Sequence, residues 1–281
     1  MSDYLEIDIR LHSRQESGQE LVLALLAAFG FEGFKEEGGR IYAYIPAEKY
    51  SSEAFEAFLT GHKLKDEIRA MKMTSIPECN WNAVWEKTYS PVQISGNCMV
   101  RAPFHLPLKG IEYDLIISPK MSFGTAHHQT TRLMLESMLV RIWSGLKILD
   151  FGCGTGVLAI LADKMGAGSV TALDNDPLAC SNASENIALN NCGNIKVVQG
   201  ELGSLDEYTF DAVLGNINRN ILQREMKNLG VRLKNTGLAI LSGFYESDLE
   251  KLSISASDYG LFLESKLSLD DWMVAVYRKG D

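Results

Sequence analysis

The stretch Leu149-Asp150-Phe151-Gly152-Cys153-Gly154-Thr155-Gly156 decides the fold of this chain. It joins a short apolar run, Lys147 to Phe151, to a stretch with helical spacing, Val157 to Met165. Glycine adopts backbone conformations that other residues avoid, and it lets the backbone approach a ligand closely. The stretch therefore predicts a strand, a glycine-rich turn that can hold a ligand, and a helix, in that order.

Strands and helices alternate from this turn towards the C-terminus. Short, continuous apolar runs of this kind are typical of strands buried on both faces of a parallel sheet. The further runs are Ser169–Leu173, Ile195–Val198, Phe210–Leu214 and Leu238–Leu241, with helical stretches between them. The last two runs, Leu261–Leu267 and Trp272–Tyr277, flank Asp270-Asp271 as the strands of a hairpin would. We predict an α/β fold with a seven-stranded Rossmann-like sheet that an antiparallel hairpin closes.

The N-terminal part has a different pattern, which reads strand, helix, strand, strand, helix. Tyr4 to Leu11 alternates like a half-buried strand, and Gln19 to Phe29 has helical spacing. We predict a small α+β domain at residues 1–62, a connector with a short helix and strands at 63–120, and the large domain at 121–281. In the connector, Trp81, Trp85 and Tyr89 have the spacing of one helix face, which favours a core stripe over a ligand platform.

A carboxylate follows the second strand of the large domain. Asp174 ends the run Val170 to Leu173, where a side chain can accept hydrogen bonds from two ribose hydroxyls. Asp176 precedes Pro177, and this order is typical of a helix N-cap followed by the first helical residue. We therefore interpret Asp174 as a ligand residue and Asp176 as a structural one. The turn and Asp174 together predict a site for an adenosine-type cofactor.

An amide side chain, Asn216, follows the fourth strand. Its oxygen can accept a hydrogen bond from a substrate amine, and its N–H can be donated to a cofactor. The next residues, Ile217, Asn218 and Arg219, include no proline and no aromatic ring to stack on a flipped base. This disfavours a nucleic-acid base or a glutamine side chain as the substrate.

The segment Met121 to Thr131 precedes a predicted helix, Arg132 to Val140. We expect Thr130 or Thr131 to cap that helix, whose N-terminus can bind a polar ligand group. His127 and His128 are adjacent in the sequence and therefore point to different sides, and no third ligand lies at metal spacing. We expect no metal site.

The formal net charge is −9, with no basic cluster. Phosphate contacts dominate the affinity of nucleic-acid-binding proteins, so this charge favours a cationic protein partner over RNA or DNA. Solubility alone would also account for an acidic surface. The longest apolar run, Leu21 to Phe31, is too short to span a membrane, and no secretory signal is apparent. We predict a cytoplasmic protein.

These motifs, in this order, resemble the bacterial PrmA family of ribosomal-protein methyltransferases. The resemblance covers nearly the whole chain, and its most specific part is the segment from Phe123-Gly124-Thr125 to Thr130-Thr131. The other matches are Trp81, Trp85, Asp150 to Gly156, Asp174, Asn216-Ile217, Ser242-Gly243 and Trp272. The resemblance implies a class I methyltransferase fold, S-adenosylmethionine as methyl donor and S-adenosylhomocysteine as product. It further implies methylation of α-amino and/or lysine ε-amino groups of protein L11 of the large ribosomal subunit.

The resemblance also implies roles for individual residues. The family's cofactor contacts fall on Thr131, Gly152, Asp174 and Asn216, and Phe123, Gly124 and Thr125 match a loop over the cofactor. We expect Gly154 and Gly156 to complete the cofactor-binding turn and Asn216 to be the catalytic residue that orients the amine. The small domain is implied to dock L11, and a monomer is expected.

The chain departs from the family pattern around the histidines. Ala126 stands where the family has glycine, and a Cβ would be strained there if the backbone is left-handed. Lys120, His127, Gln129 and Asn218 also differ from the family pattern.

Two alternative functions remain. A nicotinamide-dependent oxidoreductase shares the turn and the acid but requires a glycine at Val157. A non-catalytic cofactor-binding assembly factor is suggested by the altered Ala126–Gln129 loop.

Overall fold

A computed structural model gives the structure of the protein. It describes residues 3–12, 16–62, 65, 67–76, 86, 88–120, 122–205 and 209–281. The predicted stripe residues Trp81 and Trp85, and also Met121, lie outside the described residues. The chain divides into two compact units, Met1–Tyr89 and Ser90–Asp281.

The N-terminal unit is an antiparallel sheet packed on two helices. Its elements are β1 (Tyr4–Leu11), α1 (Glu16–Phe29), β2 (Gly33–Glu37), β3 (Arg40–Pro46), α2 (Ser52–Gly61) and β4 (Ile68–Ile76). The strand order is β2-β3-β1-β4. The predicted element order from β1 to α2 agrees with the structure. The sheet also includes β4, which the sequence interpretation assigned to the connector.

The alternation of β1 explains the core of this unit. Ile7 and Ile9 are fully buried against Leu26 of α1 and Phe55 of α2. The intervening side chains of β1 lie on the other face, where Glu6 accepts a hydrogen bond from Tyr44 and Asp8 pairs with Arg40. One face of the sheet is therefore apolar and covered by helices, and the other is polar.

The C-terminal unit contains a small sheet and a large one. The small sheet consists of β5 (Val92–Ile94), β6 (Cys98–Arg101) and β7 (Tyr113–Ile116), in the order β5-β6-β7. The helix α3 (Gln129–Leu139) follows. The large sheet and its helices are β8 (Lys147–Phe151), α4 (Val157–Lys164), β9 (Ser169–Asp174), α5 (Pro177–Leu189), β10 (Ile195–Gln199), β11 (Phe210–Asn216), α6 (Arg219–Arg232), β12 (Leu233–Tyr245), α7 (Leu249–Ser257), β13 (Leu261–Leu269) and β14 (Trp272–Lys279).

The large sheet has the strand order β10-β9-β8-β11-β12-β14-β13. The first five strands are parallel, whereas β14 is antiparallel to both of its neighbours. The predicted seven-stranded sheet with its closing hairpin is confirmed. The chain runs outwards from β8 to β10 and then returns to β11 on the other side of β8. Such a reversal opens a crevice at the carboxyl ends of the strands, here between β8 and β11.

Both faces of the large sheet are covered by helices. One core contains Met134 of α3 and Ile160 of α4 packed with Ile148 of β8. The other contains Leu222 of α6 and Leu252 of α7. Within the described part of the chain, no helix combines the length and the apolar character that a membrane crossing needs.

Candidate active site

The glycine turn lies at the carboxyl end of β8, as predicted. Gly152, Gly154 and Gly156 all have positive φ angles, of 74°, 53° and 77°. A Cβ at Gly152 would collide with Ile217, and one at Gly154 would collide with the carbonyl oxygen of Phe123. The turn is therefore restricted to glycine by backbone conformation and by close neighbours.

Asp174 lies at the end of β9 beside the turn. Its Oδ2 accepts a hydrogen bond from Gly154 N at 2.9 Å, and its Oδ1 accepts one from Asp176 N at 3.0 Å. Each carboxylate oxygen has a second acceptor site, so both can still receive a ligand hydroxyl. Asp176 caps α5 through Leu178 N at 2.9 Å, so its structural interpretation is confirmed.

A second carboxylate, Asp150, lies beneath the turn and was not assigned a role from the sequence. It is fully buried, and its Oδ2 accepts a hydrogen bond from Ala159 N of α4 at 3.1 Å. Its Oδ1 has no hydrogen-bond partner. Burial, with a smaller contribution from the negative charge of Asp174, raises the pKa of Asp150 to about 7. The charge of this side chain therefore depends on pH near neutrality.

The loop at residues 122–128 packs on the glycine turn. Thr155 N donates to the carbonyl of Phe123 at 3.0 Å, and Thr155 Oγ1 donates to that of Gly124 at 2.8 Å. Ala126 is buried and has a φ of 65°. The backbone therefore has the left-handed conformation for which the family's glycine is suited, although this chain has an alanine there. An alanine in this conformation costs roughly 1–2 kcal/mol relative to its usual backbone regions.

The start of α3 differs from the prediction. His128, and not a threonine, is the N-cap, because its Nδ1 accepts a hydrogen bond from Thr130 N at 3.2 Å. A nitrogen that accepts a hydrogen bond carries no proton, so this bond favours the tautomer of His128 with its proton on Nε2. The helix begins at Gln129 and not at Arg132, so Thr131 lies in its first turn with its side chain fully buried. The two threonines are therefore buried residues of the first helical turn, and His128 is the N-cap of α3.

Asn216 ends β11 and faces α3. Its Nδ2 donates a hydrogen bond to Thr131 Oγ1 at 3.2 Å. Its Oδ1 is buried and has no partner. One of the two N–H groups of this amide is thus donated to Thr131, and the other has the capacity for the cofactor contact predicted from the sequence. A buried amide oxygen without a partner costs free energy, which a ligand N–H would recover.

The glycine turn, Asp174, the start of α3 and Asn216 contribute to the lining of a cavity of about 500 Å³, within the range of small-molecule sites. It lies at the carboxyl ends of β8, β9 and β11, the crevice that the strand order predicts. The predicted site residues that line it are Phe123, Gly124, Thr131, Gly152, Gly154, Asp174 and Asn216. Gly156 and Thr125 are not among the lining residues. Gly156 is instead the N-cap of α4, and a Cβ there would lie only 3.3 Å from the Cβ of Ala183 in α5.

The two ends of the cavity differ in their lining. These two ends lie on opposite sides of β8 in the strand order. At one end, Asp174 closes β9, Glu201 follows β10 and Ala179 belongs to α5, whereas at the other, Asn216 closes β11, Ile217 follows it and Trp272 begins β14. Trp272 contacts the ring of His128 edge-on, with 4.8 Å between ring centroids. The sequence interpretation missed Glu201, although it follows the third strand just as Asp174 follows the second. A search of every strand end for polar residues would have found it.

The residues present fit an adenosine cofactor. Gly152 and Gly154 line the cavity with their backbone in a turn that only glycine forms readily, and Asp174 has acceptor sites for hydroxyls. Asn216 lines the same cavity, and its buried Oδ1 has no hydrogen-bond partner. The fold and the cavity define an α/β methyltransferase. A crystal structure of ribosomal protein L11 methylase from Lactobacillus delbrueckii subsp. bulgaricus aligns with a TM-score of 0.62 and 27% identity, covering 69% of this chain and 100% of that one.

Sequence comparisons identify the family. The model of the family described as ribosomal protein L11 methyltransferase (PrmA) matches residues 17–280. The L11 methyltransferase of Porphyromonas gingivalis is 42% identical over 259 residues, which are 92% of this chain and 89% of that protein. That of Phocaeicola vulgatus is 34% identical, with 96% of each chain covered. The chain belongs to the PrmA family.

Family membership confirms the predicted class of enzyme and its cofactor, S-adenosylmethionine. It decides against the alternative of a nicotinamide-dependent oxidoreductase. The sequence agrees with this decision, because the nicotinamide-binding pattern requires a glycine at position 157. Val157 is instead a buried residue at the start of α4.

Proposed function

We propose that this chain methylates ribosomal protein L11 at α-amino groups, lysine ε-amino groups or both. The relatives that carry this name align with nearly the whole chain. The observation that carries the proposal is the buried Oδ1 of Asn216, which lacks a partner in a residue that lines the cavity on the other side of β8 from Asp174. An amine N–H is the kind of group that satisfies it.

Asn216 is the proposed catalytic residue. S-adenosylmethionine, when bound, supplies a methyl group on a positively charged sulfur. Asn216 Oδ1 would accept an N–H of the neutral amine and so direct the nitrogen lone pair. An amide oxygen is suited to this task because it carries no positive charge to repel the methyl donor. Such positioning can contribute roughly 7–11 kcal/mol to lowering a reaction barrier.

Thr131 is proposed to orient Asn216. Because Nδ2 donates to Thr131 Oγ1, the amide is held with its oxygen away from α3. A freely rotating amide would present its N–H₂ group to the amine for part of the time, and an N–H donated to the amine nitrogen would occupy the lone pair that has to attack the methyl group. The resemblance implies that Thr131 contacts the cofactor, and its bond to Asn216 gives this residue a second proposed role in orienting the amide.

The other end of the cavity is proposed to bind the cofactor. Asp174 would accept the ribose hydroxyls, and the backbone at Gly152 and Gly154, which lines the cavity, would lie close to the cofactor. Phe123 and Gly124 would cover it from the loop, with Thr125 next in that loop. Gly156 contributes by starting α4 directly after the turn.

Recruitment of L11 is assigned in this proposal to the small N-terminal domain at residues 1–62. L11 is a ribosomal protein, and an acidic enzyme suits a cationic partner. The polar sheet face with Glu6 and Asp8 offers carboxylates for such a contact. The proposal includes no nucleic-acid specificity, and it describes a cytoplasmic monomer.

The substrate is tested with ribosomal proteins from a bacterial strain that lacks this enzyme. The proteins are incubated with the full chain and radiolabelled S-adenosylmethionine, separated, and analysed by mass. Label on L11 is the expected result, and peptide mapping then distinguishes α-amino from lysine sites. Label on another protein or on RNA would reject L11. Cofactor binding without any label would favour the non-catalytic assembly factor instead.

The recruitment role is tested by removing residues 1–89, which form the N-terminal unit. The remaining unit is expected to bind S-adenosylhomocysteine with unchanged affinity and to lose methylation of intact L11. Binding of the product by calorimetry is the control for folding. Methylation at the full rate by the shortened chain would show that the small domain does not recruit the substrate.

A further inference from the structure

Three asparagines form a buried row along α5, of which two lie in the helix and the third, Asn190, is its C-cap residue. Asn182, Asn186 and Asn190 are spaced one helical turn apart, and all three are buried. Buried amides need hydrogen-bond partners, and helix interiors rarely favour asparagine. The row lies on the side of α5 that faces the loop before α3 and the glycine turn. None of these residues lines the cavity.

Asn186 is bonded to two segments that contribute residues to the methyl-donor pocket, as we call the cavity of the candidate active site, although neither of its two partners lines the cavity itself. Its Oδ1 accepts a hydrogen bond from Ser118 N at 2.9 Å, and its Nδ2 donates to Thr155 O at 2.9 Å. The second N–H of the amide is directed at Asn182 Oδ1, 3.3 Å away. Ser118 precedes the loop that covers the cavity, and Thr155 belongs to the glycine turn. One fully buried side chain thus connects two segments that are far apart in sequence.

Thr155 completes this connection. Its N–H and its hydroxyl are bonded to Phe123 O and Gly124 O, and its carbonyl is bonded to Asn186. The backbone at Gly124 and Gly154 depends on this contact, since both glycines lie against the opposite segment with positive φ angles. The spacing between loop and turn is therefore determined by the bonds of Thr155 and Asn186.

We propose that Asn186 is a positioning residue for the methyl-donor pocket, because it holds the glycine turn and the covering loop at a fixed distance. It does not touch the cofactor. Its contribution is to arrange backbone groups before the cofactor binds, which lowers the ordering cost of binding. The expected kinetic effect is on the KM for S-adenosylmethionine more than on kcat.

Asn190 provides a matched control. It is the same residue type on the same helix face, and its side chain bonds both Ile116 N, at 3.0 Å, and Ile116 O, at 2.6 Å. It therefore holds the chain leading to the loop, as Asn186 does, but it has no bond to the glycine turn. A role limited to general stability would make the two asparagines equivalent.

The test compares Asn186→Ala and Asn190→Ala in the full chain. Both variants are expected to have a lower melting temperature. Asn186→Ala is expected to raise the Kd for S-adenosylhomocysteine and the KM for S-adenosylmethionine about tenfold, since a buried carbonyl loses its partner. Asn190→Ala is expected to change both by less than about threefold. Equal effects of the two variants on Kd, or an unchanged Kd in Asn186→Ala, would overturn the proposal.

Asn186→Asp keeps the test decisive if the alanine variant does not fold. Aspartate has the same shape and retains an acceptor for Ser118 N, but above neutral pH it lacks the N–H that Thr155 O accepts. We expect its Kd for S-adenosylhomocysteine to rise at least as much as for Asn186→Ala. A Kd equal to that of the unchanged chain would show that the bond to Thr155 is not needed, and would also overturn the proposal.

Discussion

The two ends of the cavity are built differently. At the Asp174 end, both carboxylate oxygens accept hydrogen bonds from backbone N–H groups, and the turn that supplies one of them is made of glycines. At the Asn216 end, the buried Oδ1 of Asn216 has no hydrogen-bond partner. At the first end, both carboxylate oxygens of Asp174 already have a partner within the protein. The second lacks one hydrogen-bond partner, which the substrate amine would provide.

The largest effect is expected for Asn216→Ala. Removal of the amide leaves the amine without its acceptor, and misplacement of a reacting group costs about a hundredfold in rate. We expect kcat for L11 methylation to fall by that factor, with the Kd for S-adenosylhomocysteine changed by less than about threefold. Steady-state kinetics and calorimetry measure the two quantities. If the affinity for S-adenosylhomocysteine falls by the same factor as kcat, the two ends of the cavity do not have separate roles.

A smaller effect, on binding, is expected for Asp174→Ala. Hydrogen bonds to a charged group contribute about 1–3 kcal/mol, so the Kd for S-adenosylhomocysteine should rise roughly five- to 150-fold. Asp176→Ala is the control, because Asp176 caps α5 and should affect stability more than affinity. If calorimetry gives the same Kd for Asp174→Ala as for the unchanged chain, the ribose binds elsewhere.

Asp150 makes the stability of the Asp174 end dependent on pH. Burial raises the pKa of Asp150 from 3.8 to about 7, so the folded chain binds this proton more tightly than the unfolded chain. The resulting stabilisation is complete below pH 3.8 and is lost as the pH rises through about 7. We expect Asp150→Asn to remove this loss. Urea unfolding of both proteins between these pH values measures it, and parallel pH profiles would contradict the assignment.

The smallest effect is expected for Ala126→Gly. Glycine relieves roughly 1–2 kcal/mol of left-handed strain, but it removes a buried methyl group worth about 0.8 kcal/mol and adds about 0.5–1 kcal/mol of unfolded-chain entropy. The free energy of unfolding should therefore change by less than about 1 kcal/mol. A larger change in urea unfolding would show that the loop stores more strain than its φ angle indicates.

Local patterns made the Asp174 end predictable. The glycine turn and Asp174 each stand at the end of a predicted strand, and Asp176 caps the helix that begins with the next residue, so the order of residues in the sequence contained the structural information. The closing hairpin also followed from the apolar runs and the turn between them. Asn216 could be placed at a strand end for the same reason, although its bond to Thr131 could not.

Contacts between distant segments were not predictable from the sequence. Asn186 bonds Ser118 and Thr155, and nothing near Asn186 in the sequence indicates either partner. His128 was missed as the cap of α3 because histidine is an uncommon N-cap and two threonines follow soon after it. The strand β4 was missed because most of its side chains are exposed, so it has little apolar pattern.

A crystal structure of the full chain with S-adenosylhomocysteine would test the central claim, that the two ends of the cavity have different roles, most directly. We expect the ribose hydroxyls to lie within hydrogen-bond distance of the Asp174 carboxylate and the sulfur to face the side of the cavity with Asn216 and Trp272. A product bound in the reverse direction, or with its ribose away from Asp174, would show that the two ends do not have these roles.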